Sequence, residues 1–372
     1  MAADDFLIVD DPRDGDDLSP DAVAALDSSG LIETIIGLGE QLSDGWTAAR
    51  EALEPFSRTL AASGFDRIAV CGMGGSAIGG DIVAAAVPSF SAPFVTVRGY
   101  ALPGWAFSHT LIVAVSYSGN TEETLSCVRG AIEHGSRPVC VTSGGTLAEL
   151  AAAHDLPLVT VPGGLQPRAA LGHLTAAVAA AVDASCLVGG LGGQVSEAAH
   201  LLCNMATIFD PEIAVPTNRA KGLAARLHKR LPLIYGAGLT TVAARRWKCE
   251  INENAEMPVF WAELPELDHN ELAGWTIVPK GVEVVVVALD DPLGDPRLTR
   301  RMDATLDIIG SCVADVVRVS ARGESPLARV LSSAYIGDAV SFYLAIMNGV
   351  DPAPVSAIER LKASLADDPA GE

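Results

Sequence analysis

The chain has 372 residues, enough for two domains of ordinary size, and 49% of them are hydrophobic, as in globular rather than disordered proteins. Its formal net charge is −21. Nucleic acids and anionic membranes bind basic patches, so we expect neither as a partner. Any anionic ligand would have to be bound by local donors, such as helix N-termini and hydroxyl-rich loops.

The cysteines and the termini give further expectations. Seven cysteines are scattered along the chain without a Cys-x-x-Cys pair or a Cys/His zinc spacing, so we expect no metal ion and a reducing, cytoplasmic location. Residues 1–20 are rich in aspartate and lack the apolar core of a signal peptide, and we expect an acidic arm. The long apolar stretch from Leu174 to Leu191 contains Asp183 and small residues, which favours a buried helix over a membrane span.

After a helical pattern from Leu31 to Ser63, short apolar runs alternate with helical patterns. The predicted strands of this first part are Arg67–Cys71, Phe94–Val97, Leu111–Val115, Pro138–Val141 and Pro157–Val161. The predicted helices between them are Ser76–Ala86, Thr121–Glu133 and Thr146–Ala153. Fully apolar strands that alternate with helices indicate a parallel sheet covered on both faces.

The same pattern begins again after about residue 200. Here the predicted strands are Leu231–Tyr235, Val282–Leu289 and Val313–Val319, and the predicted helices are Thr240–Ala255, Arg297–Ile309, Leu327–Met347 and Val355–Leu365. We therefore predict an α/β protein with two domains, residues 21–198 and residues 199–372, each a parallel sheet flanked by helices.

A glycine-rich loop follows the first predicted strand, from Cys71 to Asp81. Its glycines would let backbone N–H groups approach an anion, and Ser76 adds a hydroxyl. The glycine spacing also fits a dinucleotide-binding loop, but that motif needs an acidic residue at the end of the next strand, where this chain has Arg98. A turn that serves only close helix packing remains an alternative.

A hydroxyl-rich loop, Ser116 to Thr124, follows the buried strand Leu111–Val115. Ser116, Ser118 and Thr121 lie within six residues at the start of a helix, where free N–H groups and the helix dipole favour an anion. Simple helix capping by Ser118 or Thr121 is the alternative. Because capping accounts for one hydroxyl and not for three, we favour a phosphate site.

Three further residues are candidate site residues: Arg168, in a third loop, as a ligand, and Glu253 and His269 as an acid–base pair. Arg168 is a rare cation in its stretch, Glu253 lies near the end of a predicted helix, and His269 follows in a polar segment. A carboxylate with a raised pKa and an imidazole suit aldose–ketose isomerisation, in which a proton moves between C1 and C2 through a cis-enediol without a metal or redox cofactor. The residues alone leave other interpretations open: Arg168 as a surface arginine, Glu253 on a solvated helix face, and His269 as a turn histidine that caps Asn270.

Six motifs occur in order over nearly the whole chain after the acidic arm: CGMGGSAIGGD, SYSGNTEET, QPRAA, INENAEMP, ELPELDHNELAGW and GVDPAPVSAIERLK. Together they resemble the bifunctional phosphoglucose/phosphomannose isomerase family, a branch of the sugar-isomerase (SIS) domain proteins. The resemblance implies two SIS domains, each an αβα sandwich, and a homodimer with its active sites between subunits. It also implies that the chain isomerises glucose 6-phosphate, and mannose 6-phosphate, to fructose 6-phosphate.

The resemblance also implies roles for individual residues. The expected phosphate ligands are Gly75, Ser76, Ser116, Ser118 and Thr121. The expected catalytic residues are Arg168, which would stabilise the enediolate, Glu253 as the base, His269 for ring opening, where it could come from the partner subunit, and Lys362 near the substrate.

The chain departs from the family pattern at two positions. Glu256 stands where the family usually has lysine, and Ala353 where it often has threonine. We expect Glu256, three residues after Glu253 on the same helix face, to raise the pKa of Glu253 as a like charge. Two alternatives to the isomerase are a non-catalytic SIS protein that binds a sugar phosphate as a regulator, and a nicotinamide-dependent oxidoreductase.

Overall fold

The computed structural model describes residues 17–87 and 92–366, so most of the acidic arm predicted for residues 1–20 lies outside the described residues. Up to the end of the first sheet, the elements are α1 (Pro20–Leu26), α2 (Leu31–Ile36), α3 (Leu38–Leu53), α4 (Ser57–Ala62), β1 (Arg67–Cys71), α5 (Gly74–Ala86), β2 (Phe94–Val97), β3 (Thr110–Val115), α6 (Glu122–Glu133), β4 (Val139–Thr142), α7 (Gly145–Ala153) and β5 (Leu158–Thr160).

The rest of the chain forms the second sheet and its helices. The elements are α8 (Leu171–Ala184), α9 (Leu191–Ala206), α10 (Arg219–Leu227), β6 (Leu231–Ala237), α11 (Thr240–Asn254), β7 (Phe260–Leu264), α12 (Glu271–Gly274), β8 (Val284–Asp290), α13 (Pro296–Ile309), β9 (Asp315–Ser320), α14 (Pro326–Met347) and α15 (Ser356–Ala366). Short 3-10 helices lie at Glu54–Phe56, Gly104–Phe107 and Glu266–His269.

Both sheets are entirely parallel. The first has the strand order β2-β1-β3-β4-β5, and the second has the order β7-β6-β8-β9. In the register of the first sheet, Cys71 at the end of β1 lies between Val97 of β2 and Ala114 of β3. The predicted α/β fold with two parallel sheets flanked by helices is confirmed.

Each central strand is buried on both faces, which explains its uninterrupted apolar sequence. In β1, Ile68 and Val70 belong to one apolar cluster, whereas Ala69 and Cys71 belong to another on the opposite face. Successive side chains of a strand point to opposite faces, so both faces need apolar residues. The six residues of β3 are all buried for the same reason.

One described helix, α14, is long and apolar enough to cross a membrane, but 94% of its apolar window is buried inside the structure, as in the core helix of a soluble fold. The apolar stretch that begins at Leu174 lies largely in α8, whose residues Leu171 to Val182 are all buried. The prediction of a buried helix there is confirmed.

Several predicted boundaries differ from the structure. The single helix predicted from Leu31 to Ser63 is divided at Gly37, between α2 and α3, and again at the 3-10 helix that contains Pro55. Strand β7 was not predicted, because Glu263 interrupts its short apolar run; at the edge of the second sheet, Phe260 and Glu263 are exposed and only Leu264 of the strand is buried. The domain boundary at residues 198 and 199 falls within α9 and stays a prediction.

Candidate functional site

The candidate site lies where the strand order of the first sheet reverses. Strand β2 pairs with one side of β1, and β3 pairs with the other side. The loops that follow β1 and β3 therefore lie side by side and lead in opposite directions. Open α/β sheets bind ligands in this crevice, at the carboxyl ends of the strands. The glycine-rich and hydroxyl-rich loops found in the sequence are these two loops.

The glycine-rich loop packs closely on its neighbours. A Cβ atom at Gly72 would lie 2.9 Å from the carbonyl oxygen of Val115, and one at Gly75 would lie 2.8 Å from the Cα of Arg168. Ser76 is buried, and its Oγ accepts a hydrogen bond from the backbone N–H of Tyr117 at 3.1 Å. The glycines therefore serve close packing, and Ser76 joins the two loops.

The hydroxyl-rich loop is held by its own side chains. The Oγ of Ser116 donates to the Oγ1 of Thr121 at 2.8 Å and accepts a weaker bond from the Thr121 backbone N–H at 3.4 Å. The Oγ of Ser118 accepts from the N–H of Asn120 at 3.2 Å. Thr121 occupies the N-cap position of α6, yet its side chain makes no capping hydrogen bond. Simple capping is therefore not what these hydroxyls do.

Gly119 fixes the shape of this loop. Its φ of +72° lies in the left-handed region, and a Cβ there would overlap the carbonyl oxygen of Gly144. Glycine has no Cβ and adopts this conformation without strain. The tight turn leaves Ser118 exposed and Ser116 buried.

Arg168 is a buried residue, not a surface arginine, with 6% of its surface exposed. Its Nε donates to the Oδ1 of Asn254 at 2.7 Å, and its Nη2 donates to the carbonyl oxygens of Pro352 and Ala353 at 2.8 and 2.9 Å. Its Nη1 lies 3.6 Å from the Oε2 of Glu253. The structure therefore brings Arg168 and Glu253 together beside the glycine-rich loop.

The surroundings of Glu253 raise the pKa of its carboxyl. Burial is the main cause that raises the pKa of its carboxyl above the ordinary value of 4.5, and the negative charge of Glu250 raises it further. The positive charges of Arg168, Arg246 and Lys248 oppose both effects. The side chain keeps 27% of its surface exposed, so it is partly buried and still accessible.

The structure shows the surroundings of the two positions at which the chain departs from the family pattern. Glu256 does not continue the helix, because α11 ends at Asn254 and Glu256 has a φ of +50°. The expectation that it shares a face with Glu253 is therefore wrong, and the like charge that raises the pKa of Glu253 comes from Glu250 instead. Ala353 meets Arg168 through its backbone carbonyl, a contact that does not depend on the side chain.

His269 is exposed at the end of the 3-10 helix that follows β7. Among the described residues, the structure shows no hydrogen bond or ion pair between His269 and Glu253. The N–H of Asn270 donates to the carbonyl oxygen of Leu267, and the side chain of Asn270 itself caps α12, so His269 does not cap this turn. Lys362 belongs to α15, but its side chain lies outside the described residues.

Four further polar residues near Arg168 were given no role from the sequence. Arg246, Glu250 and Asn254 form a buried stripe on α11, and Asp338 lies buried on α14 beside them. Their signals were present in the sequence, as a four-residue spacing on α11 and as a lone acid in the apolar part of α14. Within the described ranges, no three His, Cys, Asp or Glu side chains are grouped so that they could hold a metal ion.

Comparison with known proteins agrees with this architecture. The profile of the bacterial phospho-glucose isomerase C-terminal SIS domain matches residues 216–365. A bifunctional phosphoglucose/phosphomannose isomerase of Caldicellulosiruptor bescii is 37% identical over 341 residues, which cover 91% of this chain and 99% of the relative. An enzyme of the same name from Aquifex aeolicus is 35% identical over 80% of this chain and 90% of its own length.

Among solved structures, a hypothetical protein from Thermus thermophilus superposes with a TM-score of 0.72 over 94% of each chain, at 16% identity. That likeness concerns the fold. The region matched by the Caldicellulosiruptor relative covers 91% of this chain and therefore includes both sheets. The chain belongs to the bifunctional phosphoglucose/phosphomannose isomerase family.

Proposed function

We propose that this protein interconverts fructose 6-phosphate with glucose 6-phosphate and with mannose 6-phosphate through a cis-enediol intermediate. The observation that carries the proposal is the Arg168–Glu253 pair, in which Nη1 and Oε2 are 3.6 Å apart and the main chain of Arg168 packs against Gly75 of the glycine-rich loop. A phosphate group and a reacting C1–C2 unit lie at opposite ends of a hexose phosphate. The two loops could bind the phosphate end, and the Arg168–Glu253 pair could act on the C1–C2 end.

In this proposal the phosphate is bound by Gly75, Ser76, Ser116, Ser118 and Thr121. Parallel sheets place such ligands at the switch point, and the N-termini of α5 and α6 add their positive dipole ends there. The bound phosphate then holds the sugar so that its other end reaches Glu253. Because the chain carries a net charge of −21, this local binding must overcome a repelling overall field.

Glu253 removes the proton from one of the two reacting carbons and returns it to the other. A carboxylate with a raised pKa is a stronger base than an ordinary one, and burial together with the charge of Glu250 raises the pKa of Glu253. The negative charge of the enediolate develops on oxygen as the proton leaves. The Nη1 group of Arg168 is the nearby donor that can stabilise this charge.

His269 assists ring opening by moving a proton from the anomeric hydroxyl to the ring oxygen as the bond between the anomeric carbon and the ring oxygen breaks, and we propose that it comes from the partner subunit of a homodimer. Two features support this assignment: His269 is exposed, and β7 before it is an edge strand with the exposed side chain of Phe260. Open strand edges and exposed large apolar side chains are typical of surfaces that a partner covers. Lys362 would lie near the substrate.

The proposed location is the cytoplasm, and the proposed reaction needs no metal ion or redox cofactor. All seven cysteines are free thiols, as is usual in a reducing compartment. The named relatives are isomerases, so a purely regulatory sugar-phosphate-binding protein is not favoured.

The test is an assay of the purified protein with fructose 6-phosphate, in which coupled enzymes detect glucose 6-phosphate and mannose 6-phosphate separately. Both aldoses should form, and EDTA should not change the rates. If only one aldose forms, the protein lacks the second of the two proposed activities. Binding of the sugar phosphate without any aldose would instead favour the regulator.

A further inference from the structure

A buried polar cluster joins Arg168 to two helices. It consists of Arg246, Glu250 and Asn254 on α11 and Asp338 on α14, each at most 4% exposed. The three α11 residues are spaced four apart, so they lie along one face of the helix. The proposed function gives none of the four a contact with the substrate.

Arg246 is the centre of this cluster. Its Nε and Nη2 donate to the two carboxylate oxygens of Asp338, both at 2.8 Å, and its Nη1 lies 3.0 Å from the Oε1 of Glu250. Its Nη2 also donates to the backbone carbonyl of Arg168 at 3.0 Å. Buried charges are tolerated when they are paired and hydrogen-bonded, as here. Through this bond the paired charges hold the main chain of Arg168.

Asn254 holds the side chain of Arg168. Its Oδ1 accepts from the Nε of Arg168 at 2.7 Å, while its Nδ2 donates to the Oγ of Ser341 at 2.9 Å and, more weakly, to Glu250 at 3.4 Å. Ser341 donates its own proton to the carbonyl of Asp338, so it can only accept from Asn254. The orientation of the Asn254 amide is therefore fixed, with its oxygen toward Arg168.

The guanidinium of Arg168 is thus fixed from two sides. Its Nε is bonded to Asn254, and its Nη2 is bonded to the carbonyls of Pro352 and Ala353. Within the described chain, the partner recorded for its Nη1 is Glu253. A donor held in place before the reaction stabilises developing charge without the cost of reorganisation.

We propose that Asn254 is a positioning residue of the isomerase: it holds Arg168 so that Nη1 meets the enediolate beside Glu253, while Asp338 and Arg246 anchor the main chain of Arg168. The inference rests on the proposed function for the identity of the reaction. It adds that Asn254 acts through Arg168 alone, without touching the sugar phosphate.

The kinetic test is the Asn254→Ala variant with fructose 6-phosphate as substrate. We expect kcat to fall by about tenfold to a hundredfold, because a misplaced catalytic group costs rate, while KM stays within about threefold, because the phosphate loops are untouched. The matched control is Asn218→Ala, which removes a fully buried asparagine that caps α10. The control should keep its kcat. An unchanged kcat in Asn254→Ala would overturn the inference.

A double variant separates positioning from general damage to the fold. If Asn254 acts only through Arg168, adding Asn254→Ala to Arg168→Ala should cost no further rate. If Asn254→Ala lowers the rate of Arg168→Ala by the same factor by which it lowers the rate of the parent, Asn254 acts in another way. If Asn254→Ala does not fold, Asn254→Ser replaces it in both experiments.

A measurement without substrate keeps the inference separate from the proposed function. In ¹⁵N NMR, the Nε–H of Arg168, assigned by its loss in Arg168→Lys, should exchange slowly with water. It should exchange fast in Asn254→Ala and slowly in Asn218→Ala. Fast exchange in the parent protein, or no change in Asn254→Ala, would overturn the inference whether or not the sugar is isomerised. A parent that passes this test but isomerises no sugar phosphate would count against the proposed function alone.

Discussion

Ser118 carries the most exposed of the three hydroxyls proposed to bind phosphate in the hydroxyl-rich loop. Ser118 is exposed, and within the described chain its Oγ accepts a hydrogen bond from the backbone N–H of Asn120, so its own O–H can donate to a ligand. A hydrogen bond to a charged group is worth about 1.5–3 kcal/mol. We expect Ser118→Ala to weaken sugar-phosphate binding about tenfold or more, as measured by titration with fructose 6-phosphate.

The control for Ser118 is Ser126→Ala on α6, which removes a serine hydroxyl that donates to the carbonyl of Tyr100. Binding should be unchanged in that variant, and both proteins should unfold at similar urea concentrations. Unchanged binding in Ser118→Ala would show that its hydroxyl serves the turn and not the phosphate.

The pKa of Glu253 predicts the acid side of the pH profile. Its carboxylate must be ionised to accept a proton, and its pKa is raised above 4.5 first by burial and then by Glu250. The rate constant kcat/KM should therefore fall with decreasing pH through a pKa above 4.5. In Glu250→Gln the repelling charge is absent, so this pKa should move to lower pH.

The measurement is kcat/KM against pH for the parent and for Glu250→Gln with one substrate, so that the titration of the substrate phosphate is common to both. Glu256→Gln is the control, because Glu256 lies beyond the end of α11 and is exposed. An equal shift in both variants, or a shift to higher pH in Glu250→Gln, would contradict this account of the charges.

Single residues differed in how well the sequence revealed them. Ser116, Ser118 and Thr121 could be found because a strand, a turn and a helix start are local signals. Arg246, Asn254 and their contacts could not be assigned, because they depend on α11 packing against α14 far along the chain. The effect expected of Glu256 failed because the helix ends two residues before it.

At the scale of elements, the close packing of α11 on α14 is what brings Arg246 to Asp338. Gly337 makes this approach possible, since a Cβ there would overlap the indole ring of Trp247. Overpacking a core costs about 1–3 kcal/mol. We expect Gly337→Ala to lower the free energy of unfolding by about that amount, as measured in urea.

The matched control is Gly130→Ala on α6, where a Cβ would meet no atom within 4 Å. That change should be neutral or stabilise the protein by up to about 1 kcal/mol, because alanine is the better helix former. Equal stability of the two variants would mean that the helices can move apart to admit a methyl group.

The sequence located the central strands within a few residues, because burial on both faces makes each strand a continuous apolar run. Strand β7 was missed because Glu263 interrupts its short apolar run, whereas the edge strand β2 is apolar enough to be predicted. The length of the first predicted helix was overestimated. Its apolar pattern continues across Gly37 and Pro55, but the helix is interrupted at both positions.

At the scale of the whole molecule, the proposed partner contribution of His269 can be tested by complementation. In a hybrid of Glu253→Gln and His269→Ala subunits, one of the two shared sites would have both natural residues. Random mixing gives such hybrids in half of the dimers, so unfolding and refolding the two variants together should restore about a quarter of the parent activity.

The control refolds each variant alone, and sedimentation establishes that the mixture is dimeric. Activity of the dimeric mixture no higher than the mean of its components would place His269 in the same subunit as its Glu253. A monomeric parent with full activity would contradict the shared site altogether.

The central claim is that Glu253 moves the proton between C1 and C2, and NMR in D₂O tests it most directly. Fructose 6-phosphate is converted by the parent and by Glu253→Gln, and deuterium at C2 of the aldose product is followed with time. The account predicts incorporation by the parent and a rate about 10²- to 10⁴-fold lower in Glu253→Gln, the usual contribution of a general base. Incorporation by Glu253→Gln at the parent rate would contradict it.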